Sequence, residues 1–210
     1  MTGRNGSPAE DPHKHRAILD QAIRTFAEVG FRGADVQVIA DRAGVGKGTV
    51  YRYFGNKEDL FWATTFEVLE QLDRHMLQAM EGIEGAAEKI RAACVAHGAF
   101  FEANPQHLEV FVQDRAEFRG AAPQSHLEYH EKMIARFAKI FEQGVADGEF
   151  RPMDTRKAVV SLGGVLHGTT FFHCYSKIDQ TLTEMSEYAV DIFLRGIRAP
   201  VRQGVQGNLQ

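Results

Sequence analysis

Hydrophobic positions recur at helical spacing almost from end to end of this chain. Ile18, Leu19, Ala22, Ile23 and Phe26 share one face of a 3.6-residue helix, and Gly30 stops it. Asp35 is a natural N-cap for a second, short helix carrying Ile39 and Ala43. The alternation Val36-Gln37-Val38 also fits a strand. Ala40 to Ala43 are better helix formers, however, and Gly44 then ends the segment, so helix is the expected state. A third short helix runs from about Lys47 to Tyr53. Gly55-Asn56 breaks it, and Lys57-Glu58-Asp59-Leu60 opens a fourth. Longer helices follow over 57–80, 85–103, 106–119, 123–147, 155–176 and 181–198. Breaks fall at Gly82 and Gly85, Asn104-Pro105, Gly120 to Pro123, Gly148 to Pro152 and Lys177 to Gln180. Asp154 or Thr155, and Thr181, are natural N-caps for the last two. There is no strand pair, internal repeat or low-complexity tract. The predicted class is all-α with about nine helices. A three-helix headpiece spans 13–60 and a helical domain spans 61–198. The flanks, 1–12 and 199–210, are expected to be disordered tails.

The most informative stretch is Ala34 to Leu60, ADVQVIADRAGVGKGTVYRYFGNKEDL. A short helix, the turn Ala43-Gly44-Val45-Gly46 and a second short helix make a helix-turn-helix. Ile39 and Ala43 pack against Val50 and Phe54 in this reading, with Ala43 small because the helices approach closely. Gly44 frees the backbone to turn. The outer face of the second helix carries Lys47, Thr49, Tyr51, Arg52 and Tyr53. Cations beside phenol and hydroxyl donors are what a DNA backbone and groove edge require.

Charge sharpens this picture. With 24 Lys/Arg against 28 Asp/Glu the net charge is −4, which argues against a general nucleic-acid binder. Residues 1–62, however, hold nine basic and eight acidic side chains, and Arg42 to Lys57 contains Arg42, Lys47, Arg52 and Lys57 with no acid. A local basic stripe on an acidic molecule suits a protein that meets phosphate at one surface only. Composition adds exclusions. At 44% hydrophobic and 25% charged, the 210 residues can bury a core without staples. The longest apolar run, Ala158 to Leu166, is far short of the roughly 18 residues of a membrane span. The N-terminus has no signal-like apolar stretch, and Cys94 and Cys174 form no CxxC pair. A cytoplasmic, reduced setting without a membrane partner is expected.

The run IADRAGVGKGTVYRYFGNKEDL, with the preceding helix AILDQAIRTFAEVGF, resembles the DNA-binding signature of TetR-type (tetracycline-repressor-like) transcriptional regulators. The motif resemblance covers residues 14–62. Beyond them it is architectural. It implies a homodimer whose third helices enter the major groove of a palindromic double-stranded DNA operator. It also implies a small-molecule effector in the C-terminal domain that releases the DNA. Residue by residue, Lys47 and Gly48 match the Lys-Gly that opens the recognition helix. Thr49 and Arg52 match positions facing base edges, with Arg52 the foremost candidate for guanine. Tyr51 and Tyr53 match phosphate-holding positions. Lys57 opens the fourth helix where phosphate is also held, and Gln37 and Gly46 complete the candidate DNA surface. Three positions depart from the pattern. Asp35 replaces a Ser or Thr, Val36 cannot donate to phosphate, and Gly46 lacks the usual Ser hydroxyl. A different contact set is therefore expected at the start of helix two.

In the C-terminal part, the resemblance places a four-helix dimer interface on the last two helices. Gly164, Gly168, Phe171, Phe172 and Phe193 are its candidates, with intrachain packing as the alternative. Phe100, Phe101, Phe111, Phe118, Met133 and Phe137 are candidates for an apolar effector pocket, although aromatics at helical spacing, Phe141 among them, are more often core. His126 and His130 stand at i and i+4, good spacing for two ligands to one metal. Asp114 and Glu117 lie just upstream. An antiparallel packing of helices 123–147 and 155–176 brings His167 and His173 near His130. No cofactor is required by this reading. A divalent metal, Zn or Ni, is a candidate, with surface histidines and salt bridges the plainer alternative. A metal-dependent hydrolase is disfavoured because HLEYH is not HExxH, its Glu128 lying about 200° around the helix from His126. No phosphate loop or GxSxG elbow occurs. A helical scaffold with a vestigial headpiece is the remaining alternative.

Overall fold

The computed structural model describes residues 11–118, 122–175 and 179–200. The side chains of 114–118 and 175 lie outside that description. The described residues form nine helices: α1 (Pro12–Gly33), α2 (Val36–Arg42), α3 (Lys47–Phe54), α4 (Lys57–Ala79), α5 (Ala86–Ala103), α6 (Pro105–Phe118), α7 (Gln124–Ala146), α8 (Thr155–Tyr175) and α9 (Leu182–Ile197). One isolated bridge, Phe150 with Arg198, is the sole extended pairing among them. The all-α expectation and its helix boundaries hold to within a few residues. Side-chain caps set several of those boundaries. Asp35 Oδ1 accepts from Gln37 N at 2.8 Å, and Asp154 Oδ1 accepts from Lys157 N at 3.0 Å. Thr181 and Glu184 close a reciprocal capping box at the start of α9.

The chain divides into two compact units. The first runs to Asp73 and adds Ala103–His126. The second is Arg74–Glu102 with the chain from Leu127 onward. The first unit therefore extends beyond the 13–60 headpiece expected from sequence. The apolar face of α4 continues the headpiece core, with Leu60, Phe61, Val68 and Leu72 buried. Phe61 meets Phe26 and Phe31 edge-on at 5.1 and 5.3 Å. At the other end, α1 starts inside the expected tail. Asp11 is its N-cap, accepting from His13 N at 3.0 Å, and Pro12 occupies the first turn, where its missing N–H costs nothing. The remainder of both expected tails, 1–10 and 201–210, lies outside the described residues.

One polar side chain organises the first unit. Gly30 stands at φ 72°, ψ 168°, which breaks α1 and leaves backbone groups without helical partners. Gln113 of α6 supplies them. Its Nε2 donates to Phe26 O at 3.0 Å and its Oε1 accepts from Phe31 N at 3.1 Å. The positive φ calls for glycine, and the kink then turns Phe31 toward Phe61.

In the second unit Ile90, Ala93, Cys94, Phe137, Phe141, Phe150, Leu162, Val190 and Leu194 form the core. Two glycines permit its close contacts. The Phe150 ring occupies the space a side chain at Gly144 would need. At Gly98 a Cβ would lie 2.7 Å from Leu182 O and from Ser186 Oγ, so α5 meets α9 backbone to backbone. Glu149 caps α5 from a distance, accepting from Ala86 N at 2.8 Å and Ala87 N at 3.0 Å.

Replacing Gln113 by Leu keeps the volume but strands a partly buried donor and acceptor at the kink. Gln113→Leu is expected to cost about 1–3 kcal/mol, lowering Tm by roughly 2–4 °C per kcal/mol. Thermal melts of the two proteins measure it, and an unchanged Tm would remove Gln113 from this role.

Candidate nucleic-acid interface

The turn between α2 and α3 is set by backbone geometry. Ala43 N and Val45 N bond to Ile39 O and Ala40 O at 3.0 Å, and Gly44 takes φ 68°. Gly46 then caps α3 without a side-chain bond, with Thr49 N on its carbonyl at 2.8 Å. The N–H groups of Lys47 and Gly48 are thus outside the helix's own bonding, a terminus suited to phosphate. On α3, Val50 and Phe54 turn inward, fully buried or nearly so, with Ile39 beneath them. Gly48, Tyr51 and Arg52 are exposed, and Lys47, Thr49 and Tyr53 are half-buried. At 1.5 Å per residue the exposed face is about 12 Å long, enough to span a few base pairs.

The four cations of the basic stripe differ in their neighbours. Arg42 reaches back to α1, donating to Glu28 Oε2 at 2.8 Å and to Thr25 Oγ1 at 3.1 Å. Lys47 Nζ lies 3.4 Å from Asp35 Oδ1. Lys57 Nζ donates to Arg32 O at 3.2 Å and sits over the Phe31 ring at 5.0 Å. Arg52 lies over the Tyr53 ring at 5.5 Å and has no carboxylate partner among the described residues. It carries five donors on an exposed residue of α3. The departure at Asp35 now has a structural meaning. Its carboxyl is held below the usual range by the Gln37 backbone N–H and then by Lys47, so it is a charged cap that also orients Lys47.

Two predicted DNA contacts have internal duties. The Tyr53 hydroxyl accepts from Asp11 N at 2.8 Å, tying α3 to the start of α1. Gln37 Nε2 donates to Asp41 Oδ1 at 2.8 Å along α2, with the side chain exposed. Sequence reasoning missed Asp11 and His15. The His15 ring stands 4.9 Å from Phe54 and 6.0 Å from Tyr53, a pairing across almost forty residues that no local pattern announces.

Residues 18–64 match the family model for bacterial regulatory proteins of the tetR family. Residues 84–197 match the tetracyclin repressor-like C-terminal domain. The chain belongs to the TetR family. Its relatives include the fatty acid metabolism regulator protein of Bacillus subtilis strain 168, 27% identical over 192 residues, covering 88% of this chain and 95% of the relative. The transcriptional repressor KstR2 of Mycolicibacterium smegmatis is 28% identical over 149 residues, 70% of this chain and 72% of the relative. Among solved structures, the regulator FadR of Bacillus subtilis in complex with stearoyl-CoA superposes with a TM-score of 0.77 at 23% identity, covering 88% of this chain and all of that one. At that identity the likeness is one of fold. The helix-turn-helix is thus the DNA-binding element of a TetR-family transcriptional regulator. No described helix is long and apolar enough to cross a membrane.

The candidate residues of the regulator's C-terminal part separate into groups. Phe111 is half-buried in the first unit. Phe100 and Phe101 are buried in the second, 5.3 Å apart and edge-to-face. Phe137 belongs to the hydrophobic core, with Met133 packed against it. Phe118, Asp114 and Glu117 have side chains outside the described residues. Of the histidines, His126 is buried against Trp62 at 5.2 Å, His130 meets Tyr129 at 6.0 Å and His173 Nε2 donates to Gln180 O at 3.1 Å. No three His, Cys, Asp or Glu among the described residues converge as metal ligands. The last two helices present Phe171 and Phe172 to solvent, 44% and 63% exposed, beside Gly164 and Gly168. Phe193 instead packs inward, 6.3 Å from Phe141. Sequence reasoning missed Val160, Tyr188 and Ile192 on the same two helices, each more than half exposed. Their signal was available as i, i+4 spacing from Val160 to Gly164 and from Tyr188 to Ile192.

His97 of α5, which no site prediction included, is the most perturbed histidine. It is fully buried beside Phe101, and burial, then the neighbouring His167, push its pKa down to about 4. The folded state thus holds His97 neutral while the unfolded chain, near 6.5, takes up a proton. Stability is expected to be intact above about pH 6.5 and to fall as pH drops from there toward 4, by about 3 kcal/mol in total. Urea titrations at pH 7.5 and 4.5 measure it. His97→Gln should flatten that difference, and an equal loss in the variant would assign it to other groups.

Proposed function

We propose that this protein is a homodimeric repressor that binds a palindromic operator through α3 and leaves it when an acyl-chain ligand occupies the C-terminal domain. The observation that carries the DNA reading is Arg52: an exposed guanidinium on α3, braced by an aromatic ring, over a core of Val50 and Phe54. That is the arrangement for a bidentate contact to guanine, with Lys47, Thr49, Tyr51 and Lys57 around it for backbone and groove contacts. Release by an acyl ligand is supported by the likeness to a fatty acid metabolism regulator and to a FadR that holds stearoyl-CoA.

Genome-wide footprinting with purified protein tests both halves. Wild type is expected to protect a palindromic site, and Arg52→Ala to weaken it by about 1–3 kcal/mol, roughly fivefold to 150-fold, with the loss concentrated at one base pair per half-site. Stearoyl-CoA should release the wild-type protein while free CoA does not. A site that ignores the substitution would remove Arg52 from readout. A site insensitive to every acyl-CoA would remove the acyl ligand and keep the DNA reading.

Dimerisation through α8 and α9 is supported by their glycines. Gly within a helix costs about 1 kcal/mol relative to Ala. A side chain at Gly163, Gly164 or Gly168 would meet nothing within 4 Å among the described residues, so their packing does not offset the cost. A second copy approaching Gly164 and Gly168, flanked by Val160, Phe172, Tyr188 and Ile192, would. Gly164→Leu therefore separates the two effects: it should favour the helix of the isolated chain by about 0.8–1 kcal/mol and weaken the dimer. Sedimentation equilibrium should show twice the chain mass for wild type and a shift toward one chain for the variant. A monomeric wild type, or an undisturbed variant dimer, contradicts the interface.

A further inference from the structure

Tyr53 stands where the family resemblance implies a phosphate contact, yet its hydroxyl is engaged within the chain. A phenol carries one proton, and a phosphate oxygen can only accept it. Here the hydroxyl donates to Asp11 O at 3.4 Å and accepts from Asp11 N at 2.8 Å. Asp11 is itself held in place. Its Oδ1 caps α1 by accepting from His13 N at 3.0 Å, and Lys14 Nζ lies 3.9 Å from its Oδ2. Turning the hydroxyl toward DNA would give up both bonds to Asp11. The ring is bounded as well, 6.0 Å from His15 and 6.2 Å from the buried Phe54. Tyr53 is thus a half-buried ring tied at its hydroxyl end to a helix that starts more than forty residues earlier.

Arg52 makes use of that ring. Successive side chains on a helix diverge by about 100°, so adjacency alone does not bring them together. The Arg52 guanidinium nevertheless lies over the Tyr53 ring, its Cζ 5.5 Å from the centroid and within cation–π range. An exposed arginine otherwise gives up its rotamer freedom at the moment it binds. A guanidinium resting on a tethered ring has given up part of it beforehand, and such preorganisation raises affinity without adding a contact. We propose that Tyr53 is a specificity-determining positioning residue and not a phosphate ligand: its tethered ring holds the Arg52 guanidinium for base readout. The inference rests on the reading of Arg52 given above. The two roles for Tyr53 differ in what they lend to binding. A phosphate contact strengthens binding to every sequence, whereas positioning Arg52 strengthens it only through the base pair that Arg52 reads.

The full chain selects a site from a randomised duplex library. Wild type, Tyr53→Phe, Tyr53→Leu, Arg52→Ala and the double variant Tyr53→Leu with Arg52→Ala are then titrated against three probes. These are the selected duplex, the same duplex changed at the base pair that Arg52→Ala marks, and an unrelated duplex. Tyr53→Phe keeps the ring and loses the hydroxyl. It should bind all three within about twofold of wild type, where a phosphate ligand would lose affinity on all of them. Tyr53→Leu removes the ring. It should lower the preference at the marked base pair by about twofold to fivefold per half-site and leave the unrelated duplex unchanged. In the Arg52→Ala background it should add nothing further. An equal loss on every duplex in Tyr53→Phe assigns Tyr53 to phosphate and overturns the proposal, and this arm decides even where Tyr53→Leu does not fold. A folded Tyr53→Leu that keeps the preference, or whose loss adds to that of Arg52→Ala, overturns the positioning of Arg52. An Arg52→Ala that marks no base pair overturns the readout by Arg52 and this inference with it, an outcome seen in that variant alone.

Discussion

The first unit depends on one amide side chain meeting one broken helix. Gly30 interrupts α1 where the backbone cannot satisfy itself, and Gln113 replaces both missing partners from α6, more than eighty residues along the chain. A helix end enclosed without partners would cost as much as the hydrophobic contacts around it contribute. With the bonds made, the kink becomes an asset. It sets Phe31 against Phe61, closes the aromatic cluster with Phe26, and lets Lys57 reach Arg32 O at the start of α4. The three-helix headpiece is thereby continuous with α4 and α6. A displacement of α6 must either carry the end of α1 with it or break two hydrogen bonds. The clamp thus ties α6 to the end of α1 within the first unit.

Electrostatics at α3 follow a division of labour. Arg42 is spent on Glu28 within the headpiece. Lys47 and Lys57 rest on Asp35 and Arg32 O, in pairs that are exposed and therefore worth little, on the order of 0–1 kcal/mol. Such pairs hold a lysine in place without holding it back. In the proposed complex, exchanging Asp35 for a DNA oxygen would cost Lys47 almost nothing. Arg52 has no such partner among the described residues and lies over the ring of Tyr53, whose hydroxyl accepts from Asp11 N. The proposed base-reading group thus has an aromatic neighbour, and the proposed backbone-reading groups have weak charge pairs. Readout needs a fixed angle, whereas phosphate needs only a nearby charge.

Most of the architecture could be read from sequence because its signals are local. Gly44 and Gly55 take the positive φ their turns need, Asp35 and Thr181 cap as expected, and the 3.6-residue pattern ends where the helices end. The outward face of α3 followed from the inward positions Val50 and Phe54. What sequence did not give is long-range. Gln113 looks like any polar residue on α6, and its role exists only because α1 breaks 83 positions earlier. His15 and Asp11 meet α3 across about forty residues. That most of α4 packs with the headpiece in the first unit was hidden for the same reason, since the apolar stripe of α4 does not say which unit it serves. In the candidate metal set His126 and His130 shared one helix face, yet spacing fixes only which face a residue occupies. The neighbour on that face was Trp62 for His126 and the Gln180 carbonyl for His173.

The glycines of α8 illustrate a case in which structure reverses the weight of a sequence argument. From sequence alone, Gly163, Gly164 and Gly168 fit intrachain packing as well as association. In the second unit the close approaches are made by Gly98 and Gly144, whose missing side chains are replaced by α9 backbone and by Phe150. The α8 glycines face open space instead, next to large exposed apolar side chains. A helix that gives up propensity at three positions and exposes Phe172 beside them loses stability twice in a monomer. A two-fold partner removes both losses together, because the same patch supplies the approaching surface and the surface approached. A protein that reads two half-sites needs that symmetry as well. A single self-complementary face, as in the proposed dimer, would account for glycines that the described residues leave unexplained.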